Sequence, residues 1–300
     1  MTASQYICVL MVKYISRKEV VKMKKITEKA IKDFKNYLIS EEKAKATVEK
    51  YIRDITTFAA WLGNEILSKT KVLEYKEFLK EIYAPTSVNS VLASLNSFFE
   101  YKELYALRVK NLKIQKQIFA KKEKELTKEE YERLLRAAKS KGNRKLFLLM
   151  QTICSTGIRV SELRYIDIQS IQTGRAEINL KGKARVVIIP DELCRMLRKY
   201  AKEQKISSGS VFITKTGKPL DRCNIWKLMK SLCESAGVSK DKVFPHNLRH
   251  LFARTYYSIE KDLSRLADIL GHSSIETTRI YTRESGEVHR RQIQKLGLLL

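Results

Sequence analysis

Four short stretches of this chain carry side chains whose types and spacing could do chemistry: TGIRVSEL (156–163), LKGKAR (180–185), PHNLRHLFA (245–253) and GHSSIETTRIYT (271–282). In the first, Gly157 interrupts an apolar helix that begins near Arg144, and Ser161 with Glu162 can open the next. Arg159 therefore stands at a helix junction, where, taken alone, a surface ion pair with Glu162 is the readier explanation. In the second, Gly182 permits a tight turn that displays Lys181 and Lys183. Such lysines are either solvent decoration or ammonium groups that reach into a groove and give a proton or a charge to an oxygen. In the third, Pro245 suits a first helical turn, and spacings of three and four put His246, Arg249 and His250 on one face. A zinc-protease helix also spaces two histidines by four, but it needs a glutamate where Asn247 stands. Buried capping histidines are the plain alternative. In the fourth, His272 follows Gly271, and Tyr281 lies nine residues on, at the end of an apolar helix face. A tyrosine in such a place is more often core than catalyst.

Taken together, these stretches supply two arginines, one or two lysines, two or three histidines and a tyrosine. No matching cluster of Asp and Glu stands ready for a divalent metal, so the set suits covalent cleavage of a phosphodiester without one. Two guanidinium forks can clamp the nonbridging oxygens and stabilise the charge that builds on them. A phenol, with an ordinary pKa of about 10, is a poor nucleophile that needs a base and a cationic field. The departing oxygen needs a proton, which a turn lysine can deliver. A phosphotyrosine link keeps the bond energy, so rejoining needs no ATP.

The balance of charge agrees. Fifty-nine Lys and Arg against 33 Asp and Glu leave the 300-residue chain at +26, which points to a polyanionic partner, most simply nucleic acid. Five scattered cysteines without a CxxC pair read as reduced thiols, neither a disulfide frame nor a zinc site. No apolar run reaches membrane-spanning length, so a cytoplasmic protein without a membrane partner is expected. The first 25 residues have an apolar patch but no basic region before it and no cleavage site. They are expected to form a loosely ordered leader, not a secretory signal.

The elements that must position these side chains are mostly helical. Apolar spacing predicts helices over 27–40, 47–62 and 70–82, and a fourth after Pro85 with the stripe Val88, Val91, Leu92, Leu95, Phe98 and Phe99. Four helices in about eighty residues make a small bundle over 26–106. Residues 107–125 are rich in cations and read as a basic linker. A second domain, 126–300, opens on Thr127 as N-cap with Glu130 completing a capping box. One β-hairpin is predicted, Ala176–Leu180 with Arg185–Ile189, and helices follow over 191–204, 221–236, 245–259, 262–270 and 274–281. A tail starts at about 283. The fold class is mainly α, an α+β chain with a single small sheet.

In their order and spacing, the four motifs resemble those of tyrosine recombinases (integrases) of the phage-integrase and Xer type. The resemblance runs from about residue 27 to the C-terminus. TVEKYIRDITTFAAWL (47–62) likewise resembles the family's N-terminal DNA-clamping domain. It implies a four-helix SAM-like core-binding domain followed by a mostly helical catalytic domain with a small hairpin, the two clamping DNA as a C shape. It also implies that Arg159 and Arg249 bind the scissile phosphate, that His246 acts as general base, and that His272 hydrogen-bonds the phosphate. Tyr281 would be the nucleophile of a 3′-phosphotyrosyl intermediate. Glu162 and His250 would support the site. The family usually reads Gly-Lys-Gly followed by a second lysine. Here Leu180 replaces the first glycine and the turn is about a residue shorter, so Lys181 aligns as general acid with Lys183 as the other candidate.

The resemblance implies neither metal nor cofactor. Its partners would be double-stranded DNA with a specific core site, a homotetramer on synapsed DNA that works through a Holliday junction, and room for a second, heteromeric recombinase. A nucleoid-associated protein is expected. With no arm-binding domain ahead of residue 27, the simpler Xer-like plan is expected. The apolar end LGLLL either docks on a neighbouring protomer or closes its own core. A type IB topoisomerase shares this chemistry and is the nearest alternative. A non-catalytic DNA-binding factor would lack one of the catalytic positions.

Overall fold

The computed structural model describes residues 25–114, 125–180, 183–282 and 294–296. The expected leader, part of the expected linker, Lys181 and most of the tail lie outside the described residues. The chain divides into two compact units, Met1–Lys116 and Gln117–Leu300.

In the first unit, Thr27 and Ser68 cap the N-termini of α1 (Glu28–Ser40) and α3 (Lys69–Ile82), each side chain accepting a backbone N–H of the first turn. Between them runs α2 (Lys45–Leu62), and α4 (Pro85–Tyr101) closes the bundle with proline in its first turn. The apolar stripes meet in one core that includes Phe34, Ile55, Phe58, Tyr75, Leu92, Phe98 and Phe99. Phe34 and Phe98 meet edge to face at 5.2 Å. The bundle is larger than its helices. Leu107 and Val109 are buried in the same core, so the first residues of the expected linker belong to this unit. Asn96 clamps the backbone of Val109 through both amide atoms (2.8 and 2.9 Å), and Asn89 does the same for Leu112 (3.0 and 2.7 Å). Two amides thus satisfy an extended backbone that would otherwise need water.

The second unit opens with α5 (Lys128–Ser140), whose capping box between Thr127 and Glu130 is formed as predicted. The following α6 (Arg144–Thr156) ends at Gly157, left-handed at φ 63°. A 3₁₀ turn, Val160–Tyr165, and a short α7 (Ile168–Thr173) lead into the hairpin. The six-residue α7, capped by Asp167 and stopped by Gly174, is too short to show an apolar period of its own in the sequence. Strands β1 (Arg175–Leu180) and β2 (Lys183–Ile188) pair antiparallel, with Ala176 opposite Val187 and Ile178 opposite Arg185. Ala176, Ile178 and Val187 are buried, whereas Val186 and Ile188 face outward.

Beyond the hairpin come α8 (Asp191–Glu203), α9 (Arg222–Lys230) and α10 (Cys233–Ala236). The single helix expected over 221–236 is therefore broken. Ser231, which donates its hydroxyl to the Leu228 carbonyl, offers the backbone a local alternative at the break. The central helix α11 (Pro245–Glu260) packs against α6, and α12 (Leu263–Leu270) packs on α11. The last expected helix is also shorter: α13 spans Ile275–Thr278, and Arg279–Thr282 tighten into a 3₁₀ turn. Among the described residues, no helix is long and apolar enough to cross a membrane.

Candidate active site

Three chain reversals build the site. Gly157 ends α6 and sends Arg159 back across the face of α11. Glu162 then fixes it in a box: its carboxylate accepts the Arg159 backbone N–H at 3.0 Å and the Nη1 donor at 2.9 Å. The other fork, Nη2, donates to the Gly271 carbonyl at 2.9 Å, and the side chain stays 38% exposed. Burial alone would raise the Glu162 pKa. The Arg159 N–H, the Arg185 guanidinium and the Arg159 side chain outweigh it and hold the carboxyl below the usual range.

Arg249, on α11, is only 2% exposed. Its Nη1 donates to the Gly157 carbonyl at 2.5 Å, and Nη2 donates to the Leu270 carbonyl at 2.8 Å and meets His272 Nε2 at 2.9 Å. None of these partners is an anion. Burial, then the Arg159 charge, lowers its pKa to about 10, although the nearby Tyr281 phenol pulls the other way. A poorly compensated buried cation of this kind is a ready site for an anion.

His272 follows the second reversal, at Gly271, left-handed at φ 63°. An arginine can only donate, so Nε2 must accept, which leaves the proton on Nδ1 to donate to Thr278 Oγ1 at 2.8 Å. The ring is therefore neutral. Burial and the nearby Arg249, Arg159 and Arg185 lower its pKa to about 4.

Tyr281 sits in the third reversal, the 3₁₀ turn after α13. At 6% exposure it packs with Ala253, Leu266 and Leu270. The same ring stacks on His272 (5.8 Å, 19°) and meets His250 edge to face at 4.5 Å. His250 in turn meets His246 at 4.4 Å. Burial, then His246, Arg254 and Arg249, pushes the His250 pKa down to about 3. His246 is exposed to the cavity, yet desolvation by the surrounding protein, with Arg249, Arg222 and Arg159, also lowers its pKa.

All of these groups except Glu162 open on one cavity of about 890 Å³: Arg159, His246, Arg249, His250, His272 and Tyr281, joined by Arg222 and Trp226 from α9. The structure thus brings together seven of the nine residues singled out from sequence, with Glu162 supporting from behind. Lys181 lies outside the described residues, and Lys183 is placed by its backbone at the start of β2, opposite Leu180.

A cationic cavity with a tyrosine on its floor is the geometry expected of covalent phosphodiester chemistry. Residues 124–287 match the Phage integrase family, and residues 31–104 match the N-terminal SAM-like domain of phage integrases. The chain is a tyrosine recombinase of the phage integrase family. The recombinase is 29% identical to tyrosine recombinase XerA of Pyrococcus furiosus over 290 residues, 92% of this chain and 96% of that one. Its fold is also that of XerH site-specific recombinase bound to difH substrate in a pre-cleavage complex, with a TM-score of 0.66 at 21% identity over 84% and 79% of the two chains. A lambda integrase tetramer bound to a Holliday junction matches with a TM-score of 0.68 at 17% identity, over 89% and 80%.

Three features of the recombinase site escaped the sequence reading. Arg185 donates to Glu162, and its signal was available: a charge in alternation with the apolar, buried Val187 and Ile189. Thr278 holds His272 from six residues away, a spacing that carries no periodic signal. Arg222 and Trp226 enter the cavity from α9, one helical turn apart, but nothing in the sequence ties that helix to the motifs.

Proposed function

We propose that the recombinase cleaves double-stranded DNA at a specific core site by attack of the Tyr281 hydroxyl on the scissile phosphate. The Oη–P bond forms as the P–O5′ bond breaks, giving a 3′-phosphotyrosyl link and a free 5′ hydroxyl. The phenolic proton passes to His246, kept neutral by its lowered pKa. Lys181 protonates the departing 5′ oxygen, with Lys183 the alternative donor. Arg159 and Arg249 clamp the nonbridging oxygens, and the phosphate supplies the anion that buried Arg249 lacks. His272 adds a hydrogen bond in the tautomer with its proton on Nε2. Thr278 can support that form too, since its hydroxyl donates as well as accepts. The link conserves the bond energy, so the reverse step rejoins DNA without ATP.

The observation that carries this reading is one cavity in which buried Arg249 bonds His272 and His272 stacks on Tyr281. The lambda integrase tetramer on a Holliday junction supports strand exchange by four protomers of this chain, and the XerH complex with difH supports a defined core site. The test is a suicide substrate whose cleaved strand diffuses away and traps the covalent complex. Wild type is expected to accumulate a DNA-linked species that Tyr281→Phe does not form. A Tyr281→Phe protein that still becomes linked to DNA refutes the assignment. Relaxation of plasmids lacking any core site, without recombinants, redirects it to a topoisomerase.

A further inference from the structure

Arg185 takes no part in the chemistry set out above, yet both of its terminal nitrogens are anchored, while its buried Nε has no hydrogen-bond partner among the described residues. Its Nη2 donates to Glu162 Oε2 at 2.5 Å and its Nη1 to the Ile269 carbonyl at 2.6 Å. The side chain is 14% exposed, and burying a guanidinium is unfavourable unless its partners are well placed. It also underlies the second reversal. A Cβ at Gly271 would lie 2.4 Å from Arg185 Cδ, so the arginine stem fills the space that glycine leaves.

These contacts converge on Arg159. That guanidinium has two anchors, Glu162 Oε1 and the Gly271 carbonyl. Arg185 holds the other oxygen of the first and packs under the second. It also changes the charge of the group. One carboxylate between two guanidiniums leaves a net positive charge at the cavity edge. Without Arg185, Glu162 would neutralise Arg159 outright.

We infer that Arg185 is a positioning residue: it fixes Glu162 and the Ile269–Gly271 corner so that Arg159 is held, still charged, toward the scissile phosphate. The inference rests on the reading of Arg159 as a phosphate ligand. Arg185 itself touches no substrate atom. Its effect therefore vanishes when the phosphate no longer needs a cation.

The test compares two suicide substrates, one with a normal phosphodiester and one with a methylphosphonate at the scissile position. Replacing a nonbridging oxygen by methyl removes the negative charge, so the clamp matters far less. Arg185→Gln is expected to slow cleavage of the phosphodiester about 100-fold, the scale of a clamp displaced by about 1 Å. Arg185→Lys, which keeps a cation but loses the fork, is expected to lose less. On the methylphosphonate both variants should come within about fivefold of wild type, as Arg159→Ala should, and DNA affinity should stay within about twofold. Equal losses on both substrates overturn the inference, because a purely structural defect does not distinguish them. Weaker DNA binding with a flatter salt dependence also overturns it, since Arg185 would then be a phosphate contact itself. If Arg159→Ala is not rescued, the phosphate-clamp reading fails and takes this one with it. If Arg159→Ala is rescued and the Arg185 variants are not, only this one fails.

Discussion

Replacing Arg249 by methionine separates what this side chain does for the fold from what it does for DNA. Its pKa falls from 12.5 to about 10, with burial as the largest cause. That drop corresponds to about 3 kcal/mol against the charged form in the folded protein. The sign is clear at neutral pH: both folded and unfolded states carry the proton there, so the penalty is fully present and eases only as pH rises through 10. Against it stand the hydrogen bonds to the Gly157 and Leu270 carbonyls and to His272. At about 1 kcal/mol net apiece they offset about 3 kcal/mol. Methionine keeps the apolar stem, and water entering the cavity can satisfy the released acceptors. The expectation is that Arg249→Met alters stability by no more than about 1 kcal/mol, a melting shift of under about 4 °C in a unit of this size. Cleavage of a suicide substrate should fall about 100- to 1,000-fold, as when an oxyanion donor is removed. Thermal denaturation and single-turnover cleavage on the same preparation measure both. A stability loss above about 3 kcal/mol would show that the guanidinium is a structural anchor whose hydrogen bonds outweigh its burial. Cleavage that persists within about tenfold of wild type would remove it from the clamp.

The low pKa values of His250, about 3, and His272, about 4, predict acid sensitivity. Below about pH 6.5 the unfolded chain takes up protons that the folded site refuses, so stability falls as pH drops from 6.5 toward 4. Urea titrations across that range should show it, and NMR should find both rings neutral at pH 5; normal titration near 6.5 would refute it. Gly157→Ala forces an alanine into φ 63° and puts its Cβ 2.5 Å from Phe252 and 2.9 Å from Leu270. The left-handed backbone and the overpacking together should cost about 2–5 kcal/mol, read as a melting shift, whereas a neutral substitution would show that the α6 end is slack. Thr278→Val leaves His272 Nδ1 without its partner, and a lost bond of about 1 kcal/mol should slow cleavage about fivefold. No change in rate would mean that the Thr278 hydrogen bond does not hold His272 for the reaction.

Much of the fold was legible because helices are written at short range. The stripe from Val88 to Phe99, the Thr127–Glu130 capping box and the stop at Gly157 all lie within a turn or two of the residues they organise. Where a short-range signal misled, a side chain had formed a competing bond. Asn89 and Asn96 drew Leu112 and Val109 into the first unit, and Ser231 bonded back to Leu228 at the break after α9. The motifs likewise identified seven of the residues that surround one site, but not how they meet. Arg159 and Gly271, linked by a hydrogen bond, are 112 residues apart, and Arg249 and Gly157 are 92 apart.

For Tyr281 the sequence left two answers, core or nucleophile, and the folded chain gives it surroundings for both. Its ring packs with Leu266 and Leu270, yet it stacks on His272 and lines the same cavity as Arg249. The sequence by itself determined the helices, the hairpin, the excess of positive charge and which residue types were on hand for phosphate chemistry. Only the tertiary structure decided that Gly157 and Gly271 turn the chain toward Arg249, that Arg185 backs Glu162, and that Arg249 sets the His272 proton while Thr278 holds the ring. The reason is physical: propensity and periodicity act over neighbouring residues, whereas the field at a buried guanidinium is set by whichever distant groups the packed core carries to it.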